Sequence, residues 1–270
     1  MKATILIDNI ADNGFVSEWG FCVWIEYRGK NYLLDTGSSD KYLSNAKMLG
    51  IDVRDADFAV LSHAHYDHSG GYDSFFENNK KAKLFISSGC GENCYFKLGP
   101  IRKYIGLPLG MLNRHADRIE VVEGMRTLAD GVWLVPHLEN GLDAIGKKAH
   151  MARRENGRCV TDDFSHEQSL VFEMDKGLVV FNSCSHGGLQ NILADIEHYL
   201  PGKSVYMTVG GLHFKGSSKK DIFGVAQMIK GLSIQRVVTG HCTGDKGFEI
   251  LRAELGDKVV QTSVGMVIEA

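Results

Sequence analysis

Apolar residues along the chain gather into short runs rich in β-branched and aromatic side chains. They are ATILI (3–7), FCVWIEY (21–27), NYLLD (31–35), FAVLS (58–62), KLFIS (83–87), VWLVP (132–136), SLVFEM (169–174), LVVFNS (178–183), SVYMTV (204–209), RVVTG (236–240) and VGMVIE (264–269). Each has the length of a strand and most are closed by Gly, Asp or Asn, so strands are predicted. Four other segments, SSDKYLSNAKMLG, GLQNILADIEHYL, KKDIFGVAQMIKG and DKGFEILRAELG, repeat apolar residues at three- and four-residue steps. That is the period of an amphipathic helix. The first half is strand-rich and the second alternates strands with helices, an order that predicts two sheets packed face to face with helices on their outer faces.

Composition allows this to be one domain spanning 1–270. The chain has 270 residues, 44% hydrophobic and 23% charged, which is enough to bury a sizeable core and excludes a disordered chain. Thirty Lys and Arg against 33 Asp and Glu leave a formal charge of −3. No whole-chain field therefore favours nucleic acid or an anionic membrane. The apolar run before Asp8 is too short for a secretory signal, and no later stretch approaches a membrane span, so a cytoplasmic location is expected. Six scattered cysteines fit reduced thiols, with Cys90 and Cys94 of CGENC at most half of a zinc site. Residues 88–165 break the regularity with glycine-rich and charged segments. They read as a loop-rich insertion forming a lid, with Tyr95, Phe96, Arg102, Lys103 and Tyr104 as a substrate wall.

The candidate chemistry lies in LSHAHYDHSGG (61–71), directly after the apolar run FAVL. A solvated turn would not need His63, His65, Asp67 and His68 together, whereas imidazole and carboxylate are the donors that divalent transition metals prefer. His63 and His65, two apart in a chain leaving a strand, can point to one side and chelate one ion. Asp67 and His68 turn away into the next helix and are placed for a second ion. Further donors are expected from His186 in FNSCSHGGLQN and His241 in VVTGHCTGDKG, each after an apolar strand and before a helical pattern. His166 in DDFSHEQSL is the rival to His186. His213 in GGLHFKGSS, beside Lys215, is a candidate to bind or protonate a leaving phosphate. Cys184 and Cys242 flank the histidine loops, where a small buried thiol is the ordinary reading. His115, His137, His150 and His198 stand without a constellation. Glu18 and Trp19 could line a pocket.

LSHAHYDHSGG resembles the HxHxDH signature of the metallo-β-lactamase superfamily. LLDTGSS (33–39) is similar to that family's early aspartate motif, and EWGF, NSCSHGG, GGLH and TGHCTG resemble motifs of a subgroup named for a dihydropterin-ribofuranosylaminobenzene phosphate synthase. The resemblance implies an α/β fold, a four-layer αββα sandwich with metals at one edge of the sheets. It implies one metal on His63, His65 and His186, and another on Asp67, His68 and His241. It makes Asp35 a buried acid bracing the metal loop, and Asp67 both a ligand and a proton acceptor. The sequence departs from the family where a bridging strand-end aspartate is replaced by Cys184-Ser185-His186.

Two divalent transition-metal ions are thus expected, zinc first, with manganese and iron as alternatives. Such a pair activates water and polarises a carbonyl or phosphoryl oxygen. The leading expectation is a metal-dependent hydrolase of a small phosphorylated or cyclic substrate, and the resemblance to the subgroup implies a pterin-related one. A phosphodiesterase or nuclease ranks second; against a nuclease, no Lys/Arg stripe interleaved with aromatics is visible. A non-catalytic metal-binding or ligand-sensing module is the third reading.

Overall fold

The alternation of apolar positions becomes two packed sheets. The structure, a computed structural model, describes residues 1–137 and 141–270. In chain order the first strands are β1 (Lys2–Ile7), β2 (Cys22–Tyr27), β3 (Lys30–Leu34), β4 (Phe58–Val60), β5 (Lys83–Ser87), β6 (Cys94–Leu98), β7 (Ile101–Tyr104), β8 (Ile119–Val122) and β9 (Arg126–Ala129). There follow β10 (Val132–Pro136), β11 (Met151–Glu155), β12 (Arg158–Thr161), β13 (Gln168–Met174), β14 (Gly177–Ser183), β15 (Val205–Gly210), β16 (Arg236–Thr239), β17 (Val259–Gln261) and β18 (Val267–Glu269). One sheet runs β18-β1-β2-β3-β4-β5-β8 and the other β17-β16-β15-β14-β13-β10-β9.

Period-two alternation divides each strand between two environments. In β2, Val23, Ile25 and Tyr27 enter the core between the sheets, whereas Cys22 and Trp24 face outward. In β14, Val179 and Phe181 meet that core from the other side, and Leu178 and Val180 lie under a helix. The inter-sheet core is held by aromatic edges. Phe172 packs edge-on against Tyr27 and Tyr32 with ring centroids 5.2 Å away in each case. The helices α1 (Lys41–Met48), α2 (Tyr66–Ser69) and α3 (Tyr72–Asn78) precede the short α4 (Met111–Arg114) and α5 (Asp143–Lys148). The later helices are α6 (Leu189–Tyr199), α7 (Lys219–Gly231) and α8 (Gly244–Leu255). Tyr42, Ala46, Phe75 and Phe76 of α1 and α3 cover the first sheet, while residues of α6, α7 and α8 cover the second. The layers are therefore helix, sheet, sheet, helix. No described helix is long and apolar enough to cross a membrane.

The stretch 88–165 departs from the loop-rich insertion expected of it. β8 joins the first sheet, β9 and β10 join the second, and β6, β7, β11 and β12 form a four-stranded antiparallel sheet of their own, order β12-β11-β6-β7. Those strands are short and mostly half-exposed, so they carry no buried apolar run to announce them. Residues 138–140 of the stretch lie outside the described residues.

Topology sends the chain's chemistry to one edge. β3, β4 and β5 are parallel to one another, as are β14, β15 and β16, so the loops leaving β3, β4, β14, β15 and β16 can meet. A close backbone crossing locks the first two. Gly70 donates its N–H to Gly37 at 2.9 Å, and a Cβ at Gly70 would lie 2.1 Å from the Ser38 carbonyl oxygen. Gly70→Ala should therefore force the 61–71 turn off the 36–39 turn and lower stability by about 2–3 kcal/mol, read from urea unfolding. An unchanged midpoint would mean the crossing is loose.

Candidate metal centre

The chain leaves β4 at Val60 and carries His63, His65, Asp67 and His68 into α2; all four are buried. His186 follows β14, His213 follows β15 and His241 follows β16. Among the described residues ten non-glycine residues have positive φ, and Asp35, Ser183, Ser185, His213 and His241 are five of them. Left-handed backbone costs a non-glycine residue energy, so its concentration at these strand ends marks loops bent to aim side chains.

The ring nitrogens converge. His186 Nε2 lies 3.2 Å from His63 Nε2 and 3.1 Å from His65 Nδ1. These could be hydrogen bonds only if protons sat between the rings, and the outward partners direct the His63 proton elsewhere. Ser62 Oγ donates to Asp35 Oδ2 at 2.8 Å, so it accepts from His63 Nδ1, also at 2.8 Å, which leaves His63 Nε2 a lone pair. Burial, then the neighbouring His68, His65 and His186, hold His63 well below the usual imidazole pKa. Burial first likewise depresses His186, and takes His65 to about 3. Neutral rings presenting lone pairs to one point suit a cation.

The second set is arranged the same way. His68 Nδ1 donates to Asp35 Oδ2 at 2.7 Å, which turns the lone pair of Nε2 inward. His241 Nδ1 donates to Asn9 Oδ1 at 3.1 Å, and the Asn9 amide in turn donates to the His241 carbonyl at 3.1 Å. The inward His241 Nε2 has no hydrogen-bond partner and stands 3.5 Å from Asp67 Oδ2. Burial would raise the Asp67 pKa, but the close approach of the His241 ring and the charges of His68, His241 and His65 outweigh it and hold the carboxyl well below its ordinary range. Asp67 is thus an anion. Orphaned, buried His65 Nε2, His186 Nδ1 and His241 Nε2 also frame the cluster.

Asp35 binds the two loops together. Its carboxylate, fully buried, accepts from Ser62 N, Ser62 Oγ, His68 Nδ1 and Ser183 Oγ at 2.7–2.8 Å. Behind His186, Glu167 accepts from the backbone N–H of His186 at 2.8 Å and of Gly187 at 3.1 Å. His137, which had no expected constellation, bonds Glu167 Oε2 at 3.0 Å and Ser169 Oγ at 2.9 Å.

His166 does not join the cluster in place of His186. Its Nδ1 accepts the Ala64 N–H at 3.2 Å and its Nε2 meets Asp162 Oδ2 at 3.2 Å, so it supports the loop behind His65. Cys94 of the CGENC segment joins that support, within 4.8 Å of ligand atoms of His65, Asp162 and His166. Glu18 faces away from the cavity and caps the 38–39 turn by accepting from Ser38 N at 2.9 Å and Ser39 N at 3.1 Å. Cys184 is not a bystander: its Sγ lies 3.2 Å from His68 Nε2. Asn9, Glu167 and Asp162 carried no motif, and the only sequence signal for Asn9 was its place at a strand end.

A cavity of about 650 Å³ opens onto both sets, with His65, Asp67, Cys184, His186, His213 and His241 on its floor. Trp19, Phe96, Lys103, Lys148, His150 and Lys215 are on its walls. His213 stacks near His186, centroids 4.1 Å apart, and Lys215 Nζ lies over the Trp19 ring at 5.3 Å. Tyr95 and Arg102 point to the other face of the small sheet, where they line a separate hollow, because neighbouring strand residues alternate. Only Phe96 and Lys103 of the expected wall reach this cavity.

Residues 20–150 match the family model of the metallo-beta-lactamase superfamily. A solved metal-dependent hydrolase of the beta-lactamase superfamily superposes with a TM-score of 0.86 at 29% identity, covering 100% of this chain and 99% of that one. Residues 20–150 thus carry a metallo-beta-lactamase superfamily domain, and the chain as a whole has the fold of that solved hydrolase. A curated relative from Methanocaldococcus jannaschii, 7,8-dihydropterin-6-methyl-4-(beta-D-ribofuranosyl)-aminobenzene-5'-phosphate synthase, is 27% identical over 92% of this chain and 88% of its own. A solved diphosphatase of the PhnP family shares the fold, with a TM-score of 0.56 and 15% identity over 100% of this chain and 97% of the other. Members of the superfamily bind divalent metals, and the His/Asp/Cys clusters here could hold them.

Replacing Asp35 by Asn would put an amide donor against donors from Ser62, His68 and Ser183. Metal affinity of Asp35→Asn should fall about 10–100-fold, measured by competition with a chromophoric chelator. Wild-type affinity in that variant would show that the ring directions do not depend on the carboxylate.

Proposed function

We propose that this protein is a metal-dependent hydrolase acting on a small phosphorylated substrate with a planar ring. The observation that carries this reading is one cavity whose floor is the double histidine cluster and whose walls pair lysines with aromatic faces. His63, His65 and His186 would hold one divalent ion, and Asp67, His68 and His241 the other, with zinc first and manganese or iron as alternatives. Such ions supply an activated water and polarise a phosphoryl oxygen when bound.

The chain's own residues do the rest. Lys103, Lys148 and Lys215 give the substrate phosphate a cationic wall, and Trp19 and Phe96 offer ring faces to a planar group. Asp67, an anion on the cavity floor, accepts the proton of the attacking water as the P–O bond to the leaving group breaks. His213, whose Nδ1 has no hydrogen-bond partner, donates a proton to the departing oxygen. The small sheet carrying Phe96 and Lys103 acts as a lid that restricts water. A pterin-related substrate is favoured within this class by the name of the Methanocaldococcus jannaschii relative, whose compound joins a planar bicycle to a phosphate.

The test is turnover of generic phosphate mono- and diesters and lactones, with zinc or manganese added and after chelation. Phosphate-ester turnover should depend on metal and fall about 100-fold or more in Asp67→Asn. A protein that binds two metal equivalents yet turns over none of these substrates would support the binding module instead. Lys103→Ala combined with Lys148→Ala should raise KM about tenfold for phosphorylated substrates and leave KM for lactones unchanged. Equal effects on both classes would remove the lysines from phosphate recognition.

A further inference from the structure

The histidine sets leave one central position unexplained, and the Cys184 sulfur fills it. Cys184 is 2% exposed and follows β14 directly. Its Sγ belongs to three groups of donor atoms, each group mutually within 4.8 Å: with His63 and His68, with His186 and His213, and with His241 and Cys242. Among the described residues these groups bring Cys184 within reach of both histidine sets, His63 and His186 on one side and His68 and His241 on the other. The backbone holds the thiol there under constraint. Ser183 and Ser185, on either side, have φ of 50° and 52°. Asn182 Nδ2 and Ser185 Oγ both anchor to the Gly211 carbonyl, at 3.0 and 2.9 Å.

We infer that Cys184 is a metal ligand shared by the two sites, a thiolate bridge in place of a carboxylate. This rests on the metal-centre reading above and adds a donor to it. A thiol donating to His68 Nε2 would satisfy one lone pair and leave those of His63 and His186 crowded against each other, whereas a shared sulfur gives each of two cations a further anionic donor. Sulfur also sorts metals. A thiolate favours zinc, iron(II) or cobalt(II) over manganese or magnesium, which prefer oxygen. Cys242, whose Sγ lies near Cys184 and His241 but faces the Cys184 carbonyl at 3.5 Å and packs against Gly211, is the competing thiol against which the assignment is tested.

The experiment is cobalt(II) loading of the full-length protein, followed by absorption and elemental analysis. Wild type should bind two equivalents and show a thiolate-to-cobalt charge-transfer band in the near ultraviolet. Cys184→Ser, nearly isosteric, should lose the band and bind one equivalent at least about tenfold more weakly. Cys242→Ser should keep both, and Cys184→Asp should regain the second equivalent without the band. Two equivalents with no band in wild type, or a band that survives in Cys184→Ser, would overturn the bridge while leaving the metal centre standing. No cobalt bound by wild type would overturn both. Iodoacetamide labelling settles the matter without variants: Cys184 should react in chelator-treated protein and be protected at least about tenfold when loaded, and equal labelling would count against ligation.

Discussion

The buried carboxylate of Asp35 is the interaction on which the rest of the site depends. It sits at the end of β3, yet its acceptor positions are filled from the loop after β4 and from the end of β14, which belongs to the opposite sheet. A fully buried anion is costly unless hydrogen bonds surround it. Four donors do so here, and the same bonds fix the direction of two rings. Ser62 passes the effect to His63, and His68 receives it directly. One group therefore joins the sheets and sets the tautomers of a histidine from each donor set.

The edge where this happens follows from strand direction. Antiparallel β1, β2 and β3 turn the chain so that β3, β4 and β5 run together, and the second sheet repeats the pattern with β14 to β17. Loops at the ends of parallel strands can converge without crossing the core, which is the usual location of sites in layered α/β folds. The cost appears as left-handed backbone at Asp35, Ser183, Ser185, His213 and His241. Those residues are held by the packing of large apolar clusters beneath them, including Phe172, Phe181, Val209 and Val238.

Much of this was legible in the sequence, for physical reasons that also mark where legibility ends. The long apolar runs of β1 to β5 and β13 to β16 are buried on both faces, so composition alone announces them, and the helical period of 219–231 coincides with α7. LSHAHYDHSGG, His186 and His241 could be grouped because each follows such a run. The small sheet was hidden because β6, β7, β11 and β12 bury little and because its two hairpins are joined by the β6–β11 pairing, which links Phe96 to Met151. Choosing between His166 and His186 required ring direction, which depends on Ala64 and Asp162 and not on spacing. Asn9 and Glu167 act through single hydrogen bonds to loops distant in sequence, a contact no local pattern encodes.

The two donor sets are unequal, and the inequality bears on how metal and fold are related. His63, His65 and His186 present nitrogen only, whereas the other set includes the Asp67 carboxylate, so the second ion would be held by charge as well as by lone pairs. The outward hydrogen bonds to Ser62, Asp35 and Asn9 fix the ring directions of His63, His68 and His241 from the protein side. This separates the protein from small zinc domains, in which the metal supplies most of the folding energy. Two sheets and their covering helices already bury the core here. The candidate metal centre is a cavity floor on which the scaffold itself holds lone pairs of like polarity close together, the arrangement a cation would relieve.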